Sequence, residues 1–118
     1  MHNHAYRQVP ASRFSSEYVR IAAANFTVLL GGFGATTPLT VSQQVQAADG
    51  AGLTVIPSSC YGECLNISGR ALWGFQIKDE PSVADFPEVA AQVAIAKAAG
   101  QLAFVNLLPN YGILVVFW

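Results

Sequence analysis

Charge is scarce in this sequence. Only 11% of its 118 residues are charged, and neither sign dominates, with 6 basic residues against 7 acidic. Nucleic acids and anionic lipid surfaces are recognised by clustered positive charge, so neither is expected as a partner. No apolar run approaches the roughly 18 residues of a membrane span; the longest, Ile113 to Trp118, is short. The first residues carry His2, His4, Arg7 and Arg13 but no continuous apolar stretch, and do not read as a secretory signal. Localisation stays open, an extracellular parent being compatible. Cysteine is limited to Cys60 and Cys64. A lone C-x3-C lacks the further ligands of a zinc site, so no metal is expected there, and two ordinary thiols are favoured over a small disulfide. His2 and His4 lie in a terminal stretch and are not expected to hold a metal either.

What is abundant is apolar surface: hydrophobic residues make up 53% of the chain. One domain is the ceiling at this length, burying roughly two-thirds of its unfolded surface. So apolar a composition exceeds what a small free-standing domain needs, and much of the chain is expected to be covered by something else.

One phrase occurs three times: small residues ending a helix, a Gly or Asn, then a short apolar strand. The copies are Ala22-Ala23-Ala24-Asn25 before Phe26 to Leu30, Gly50-Ala51-Gly52 before Leu53 to Pro57, and Ala98-Ala99-Gly100 before Leu102 to Leu108. Gly or Asn is the expected stop, because the position after a helix often turns left-handed. The strands are continuous apolar runs, as in a parallel sheet covered on both faces. Ser15 or Ser16 is expected to cap the first helix, Thr40 or a neighbour the second, and Asp85 the third, where Asp85-Phe86-Pro87-Glu88 has capping-box form. Val89, Val93 and Ala96 give that helix its apolar stripe, and Lys97 suits its negative end. Tyr61 to Arg70 is too short for an ordinary crossover helix, so that connection is expected to be irregular. Four strands, starting near Phe26, Leu53, Leu72 and Leu102, with units of about 25 residues, amount to about half of a TIM-type (β/α) barrel.

The chemistry-bearing segment is Leu72 to Ser82. Along a regular strand Trp73, Phe75, Ile77 and Asp79 share one face, and Gly74, Gln76, Lys78 and Glu80 the other. The bulky set suits the layer under the helices, with Trp73 in the core. The polar set then points into the barrel and ends with Glu80 at the carboxyl end of the strand, where barrel enzymes keep their active sites. Parity also puts Lys78 beside Glu80, where a cation favours the ionised carboxylate and opposes a general-acid role; a β-bulge would separate them.

Lys78-Asp79-Glu80-Pro81-Ser82, then Asp85-Phe86-Pro87, then Phe104-Val105-Asn106-Leu107-Leu108-Pro109-Asn110-Tyr111, resembles the fourth and fifth strands of glycoside-hydrolase-like (β/α)8 barrels. The likeness runs from about Ser15 to Tyr111. It implies a partial parallel (β/α) barrel, a carbohydrate as partner, hydrolysis of O-glycosidic bonds in the complete parent, and Glu80 as general acid/base. Asp79 stands where such barrels usually carry the Asn that contacts a substrate hydroxyl. Gln76 and Asn106 are further substrate-binding candidates, although Asn106 equally suits a turn cap. Retaining hydrolysis needs a second carboxylate roughly 5–5.5 Å from the first, which such barrels take from a late strand.

The expected organisation is an extension over 1–14, the partial barrel over 15–112, and an apolar tail over 113–118. Open sheet edges in such a half-barrel would favour self-association. No motif calls for a cofactor: the loop Gly31 to Thr37 has Thr37 where the third glycine of a dinucleotide fingerprint falls, and no P-loop lysine, so a barrel-mouth loop is expected. Of two glycosylation sequons, at Asn25 and Asn66, only the second is expected to be reachable. Two rival readings remain, a non-catalytic carbohydrate-binding or structural remnant and a small α/β module binding nucleotide or phosphate.

Overall fold

A computed structural model describes residues 9–31 and 34–107. The chain is α/β. After a 3-10 turn at Ala11–Arg13 come α1 (Phe14–Ala23), β1 (Val28–Leu30), α2 (Pro38–Ala51) and β2 (Thr54–Ile56), then β3 (Gly74–Asp79), α3 (Phe86–Ala98) and β4 (Leu102–Asn106). β1 pairs with β2 and β3 with β4, both in parallel. Two isolated parallel bridges, Val55 to Leu72 and Ser58 to Gln76, connect the two sheets.

The helix stops behave as the repeated phrase requires: Asn25, Gly52 and Gly100 all have positive φ, at 72°, 75° and 76°. The starts differ more. α1 begins at Phe14, ahead of the serines expected to cap it; the Ser16 hydroxyl instead bonds back to the Arg13 carbonyl. Thr37 caps α2 and shares a reciprocal capping box with Thr40, with Pro38 in the first turn. Before α3 the box is Ser82 with Asp85, around a 3-10 turn at Val83–Asp85, and Asp85 supplies no side-chain cap to α3 itself. Thr37 caps α2 directly, three residues ahead of Thr40, whereas Ser82 caps the 3-10 turn that leads into α3 and Asp85 holds the α3 N-cap position without a side-chain cap.

Helical spacing produces the core. Val41, Gln44, Val45 and Ala48 give α2 one buried face, and Gln92 and Ala96, with Val89 and Val93 partly buried, do the same for α3. Phe14 and Tyr18 of α1 stack at 5.4 Å between ring centroids. α1 packs on α2, α2 on β2, and α3 on both β3 and β4. The inner strands supply Val55 and Phe75, both fully buried; a buried phenylalanine contributes roughly 1.5–3 kcal/mol. The outer strands are not covered on both faces: Leu30 of β1 is 51% exposed and Leu102 of β4 46%. Val9 and Ala11 pack against the core, so the packed region starts ahead of residue 15. The tail at 113–118 lies outside the described residues.

The crossover from β2 to β3 has no α-helix, as its length required. It is a 3-10 turn at Cys60–Gly62 followed by irregular chain. Contrary to the thiol reading, Cys60 and Cys64 are joined by a disulfide, with Cα atoms 5.3 Å apart; the left-handed turn between them brings the two sulfurs together.

Candidate functional site

A cavity of about 530 Å³ opens at the carboxyl ends of the strands. β1 contributes Leu30 and Gly31, and the following loop Gly34 and Thr36. Ser58 and Tyr61 come from the chain after β2, and Gln76 to Asp79 from β3. Gly31, Gly34 and Thr36 of the loop after β1 thus line this cavity.

β3 carries a bulge. Gln76 pairs with Phe104 but Lys78 with Val105, so Ile77 is an extra residue without a partner on β4. Parity reverses beyond it. Phe104 and Asn106 share a face of β4, and their partners Gln76 and Asp79 therefore share the facing side of β3. Lys78 falls with Phe75, opposite Val105 and Ala103, both packed against the core. The regular-strand assignment of Asp79 to the helix side and Lys78 to the side of Gln76 is thus corrected. The Lys78 ammonium lies 3.9 Å from Asp85 Oδ2 and 5.8 Å from the centroid of the Tyr61 ring.

Buried polar groups hold the bulge. Ser59 is fully buried; its Oγ lies 3.1 Å from the carbonyl oxygen of Ile77 and 2.9 Å from Gln92 Oε1. At the far end Asn106 serves twice. Its Nδ2 donates to Asp79 Oδ1 at 2.7 Å, and its carbonyl accepts from the Glu80 amide at 2.7 Å. Asn106 thus orients Asp79 rather than capping a turn by its side chain among the described residues.

Glu80 follows β3 in a left-handed conformation, φ 48°, and is exposed. It is not among the residues lining the cavity, and its carboxylate has no hydrogen-bond partner among the described residues. A left-handed residue other than Gly or Asn costs roughly 1–3 kcal/mol and is found where surrounding structure over-determines it. Pro81, buried behind it, and the Asn106 carbonyl supply that constraint here.

Gly31 connects the loop to the cavity floor. Its φ is +68°, and a Cβ there would lie 2.5 Å from Gln76 Oε1. Its carbonyl accepts from Nε2 of the buried Gln44 at 2.8 Å, leaving Gln44 Oε1 without a partner among the described residues. At the start of α2, the Thr40 amide is taken by Thr37 Oγ1 and the Thr37 amide by Thr40 Oγ1. Asp85 accepts from the Ser82 amide and hydroxyl; these bonds, with Lys78 nearby, lower its pKa below the ordinary carboxylate value.

Of the residues singled out from sequence, the fold gathers Gln76, Asp79 and Asn106 and sets Glu80 one residue beyond the strand. Trp73, expected in the core, is 53% exposed. Ser58, Thr36 and Tyr61 were not singled out; their signal was position alone, each just beyond the carboxyl end of a strand. No helix among the described residues is long and apolar enough to cross a membrane. Among the same residues no cluster of three or more His, Cys, Asp or Glu could hold a metal ion. His2 and His4 lie outside them. Compared with family models, curated proteins and solved structures, the chain matches none.

Proposed function

We propose that the chain is part of a glycoside-hydrolase-like (β/α) barrel whose cavity binds a neutral carbohydrate. The observation that carries this reading is the convergence of Gln76 and Asp79, the latter oriented by Asn106, on one cavity at the carboxyl ends of parallel strands. An amide and a fixed carboxylate offer the mixed donors and acceptors that vicinal hydroxyls need. The Asp79 carboxylate opposes a phosphate, and Lys78, the one cation among the described lining residues, already faces Asp85, which disfavours the nucleotide reading. In-sequence neighbours running parallel, β1 beside β2 and β3 beside β4, agree with a barrel segment. So do the exposed apolar side chains of the outer strands, which neighbouring strands would cover.

In the complete barrel Glu80 is the candidate general acid/base, its strained backbone being of the kind found at functional sites. Binding without turnover is the second reading, favoured by the position of Glu80 outside the cavity lining. Saturation-transfer NMR with methyl glycosides tests the first step. Wild-type binding that weakens at least about tenfold in Asp79→Ala and Gln76→Ala supports the site, and no binding to any neutral saccharide overturns it. Aryl-glycoside turnover lost in Glu80→Gln would select hydrolysis; binding with no turnover in a longer parent would select the second reading.

A further inference from the structure

The loop after β2 contains an arrangement that sugar binding by Gln76 and Asp79 does not by itself require. Cys60, Tyr61 and Gly62 are consecutive left-handed residues, with φ of 55°, 55° and 99°. Two of the three bear a Cβ, and each such residue costs roughly 1–2 kcal/mol in this conformation. Several constraints hold them there. The Cys60–Cys64 disulfide closes the loop, both cysteines being buried, and the Gly62 and Cys64 amides both bond to the Ser59 carbonyl at 2.9 Å. The Ser58 hydroxyl accepts from the Cys60 amide at 2.9 Å.

The outcome of this strain is one side chain. Tyr61 sits between two buried cysteines and is 86% exposed, yet it lines the cavity. A large aromatic ring normally gains by burial, so a loop that holds one out in a strained conformation is shaped for contact with something beyond the described residues. The Lys78 ammonium, 5.8 Å from the ring centroid, adds a weak cation–π restraint on its position.

We infer that Tyr61 is an aromatic wall of the cavity, held by the disulfide loop, on which the apolar C–H face of a pyranose ring stacks while its hydroxyls meet Gln76 and Asp79. An aromatic face carries the negative lobe of the ring quadrupole and attracts the weakly positive C–H groups of a sugar. The lining also carries the polar Gln76, Asp79 and Thr36, and a pyranose presents the same division, an apolar face with a hydroxyl rim. This inference rests on the carbohydrate reading of the cavity. The disulfide acts through Tyr61 and is a positioning element.

The test uses the full chain and titrates wild type, Gln76→Ala, Tyr61→Gly and Tyr61→Phe with methyl glucoside, methyl galactoside, methyl mannoside and methyl xyloside. Tyr61→Gly relieves the left-handed strain and removes an exposed ring, so its Tm is expected to equal or exceed that of wild type while affinity falls about tenfold or more. Tyr61→Phe keeps the wall and should bind within about threefold of wild type. Weakening by Gln76→Ala with unchanged affinity in Tyr61→Gly overturns the wall and leaves the carbohydrate site standing. No binding of any glycoside by the wild type overturns both.

Discussion

Removing the Ser59 hydroxyl probes the link between the core and the cavity. The residue is fully buried, and its Oγ sits between two acceptors, the Ile77 carbonyl and Gln92 Oε1. A serine has one hydroxyl proton, so the two acceptors share it. Ile77 is the bulged residue, and Gln92 belongs to α3, where its Nε2 already donates to Glu88 at 3.2 Å. Ser59→Ala therefore deprives two buried acceptors of their common donor and replaces it with a methyl group. Leaving a buried polar group unsatisfied costs about 1–3 kcal/mol. The upper half of that range applies if the Gln92 amide stays on Glu88, and the lower half if it swings to donate to Ile77. Urea unfolding should show a lower midpoint with an unchanged slope. Ser58→Ala is the control: Ser58 is only half-buried and accepts one amide proton, from Cys60, so its loss should cost less, about 0.5–1.5 kcal/mol. Ser59→Ala within about 0.5 kcal/mol of wild type, no worse than an ordinary surface change, would refute the assignment of the bulge to this hydroxyl.

Gly31→Ala places a methyl 2.5 Å from Gln76 Oε1 in a left-handed residue; a loss of about 1–2 kcal/mol in urea unfolding is expected, with displaced Gln76 side-chain amide signals by NMR. The Asp85 carboxylate is held below its ordinary pKa by the Ser82 amide and hydroxyl, then by Lys78. A depressed pKa gives a contribution that is complete above the ordinary carboxylate value and lost as pH falls through the lowered one, so Asp85→Asn should flatten the acid limb of Tm against pH. Tyr18 has the opposite sign: burial raises its hydroxyl pKa, with the Gln44 side chain opposing. Stability should fall as pH rises past the ordinary tyrosine value, and Tyr18→Phe should lessen that alkaline fall.

Local chemistry made much of the fold legible. Asn25, Gly52 and Gly100 marked helix ends because few other residues tolerate φ near +70°. The stripe Val89, Val93 and Ala96 marked the buried face of α3, and the shortness of Tyr61 to Arg70 foretold a crossover without a helix. Thr37 with Thr40 and Ser82 with Asp85 are reciprocal pairs in which either member looks like a start; Thr37 is the cap of α2, while Asp85 holds the α3 N-cap position but bonds back to Ser82. The disulfide was missed because a three-residue gap says nothing of backbone direction: it requires Cys60 and Tyr61 to turn left-handed, which neither residue type announces. Trp73 shares a face with Phe75 and Ile77 in a regular strand, which suits the core, but β3 begins only at Gly74 and Trp73 is half-exposed.

Of the candidate residues, Gln76 and Asp79 line one cavity and Asn106 bonds to Asp79, while Glu80 stays outside its lining; the strand faces differ from the expected ones because of one residue. Alternation assigns faces correctly from Gly74 to Gln76 and fails at Ile77, because a bulge inserts a residue without changing composition or period elsewhere. Its causes are distant in sequence: Ser59 lies 18 positions before the carbonyl it holds, and Asn106 lies 27 after the carboxylate it orients. The effect on charge is large. In a regular strand Lys78 would stand with Gln76 on the cavity face, and Asp79 would be turned toward the helices. With the bulge Asp79, held by Asn106, shares the face of Gln76, while Lys78 pairs with Val105 and its ammonium lies near Asp85 and the Tyr61 ring; both residues line the cavity. Lys78 and Glu80 keep their two-residue spacing, because the bulge at Ile77 precedes both. What takes Glu80 out of the strand is its own left-handed backbone, φ 48°, and it does not line the cavity that Lys78 and Asp79 both line.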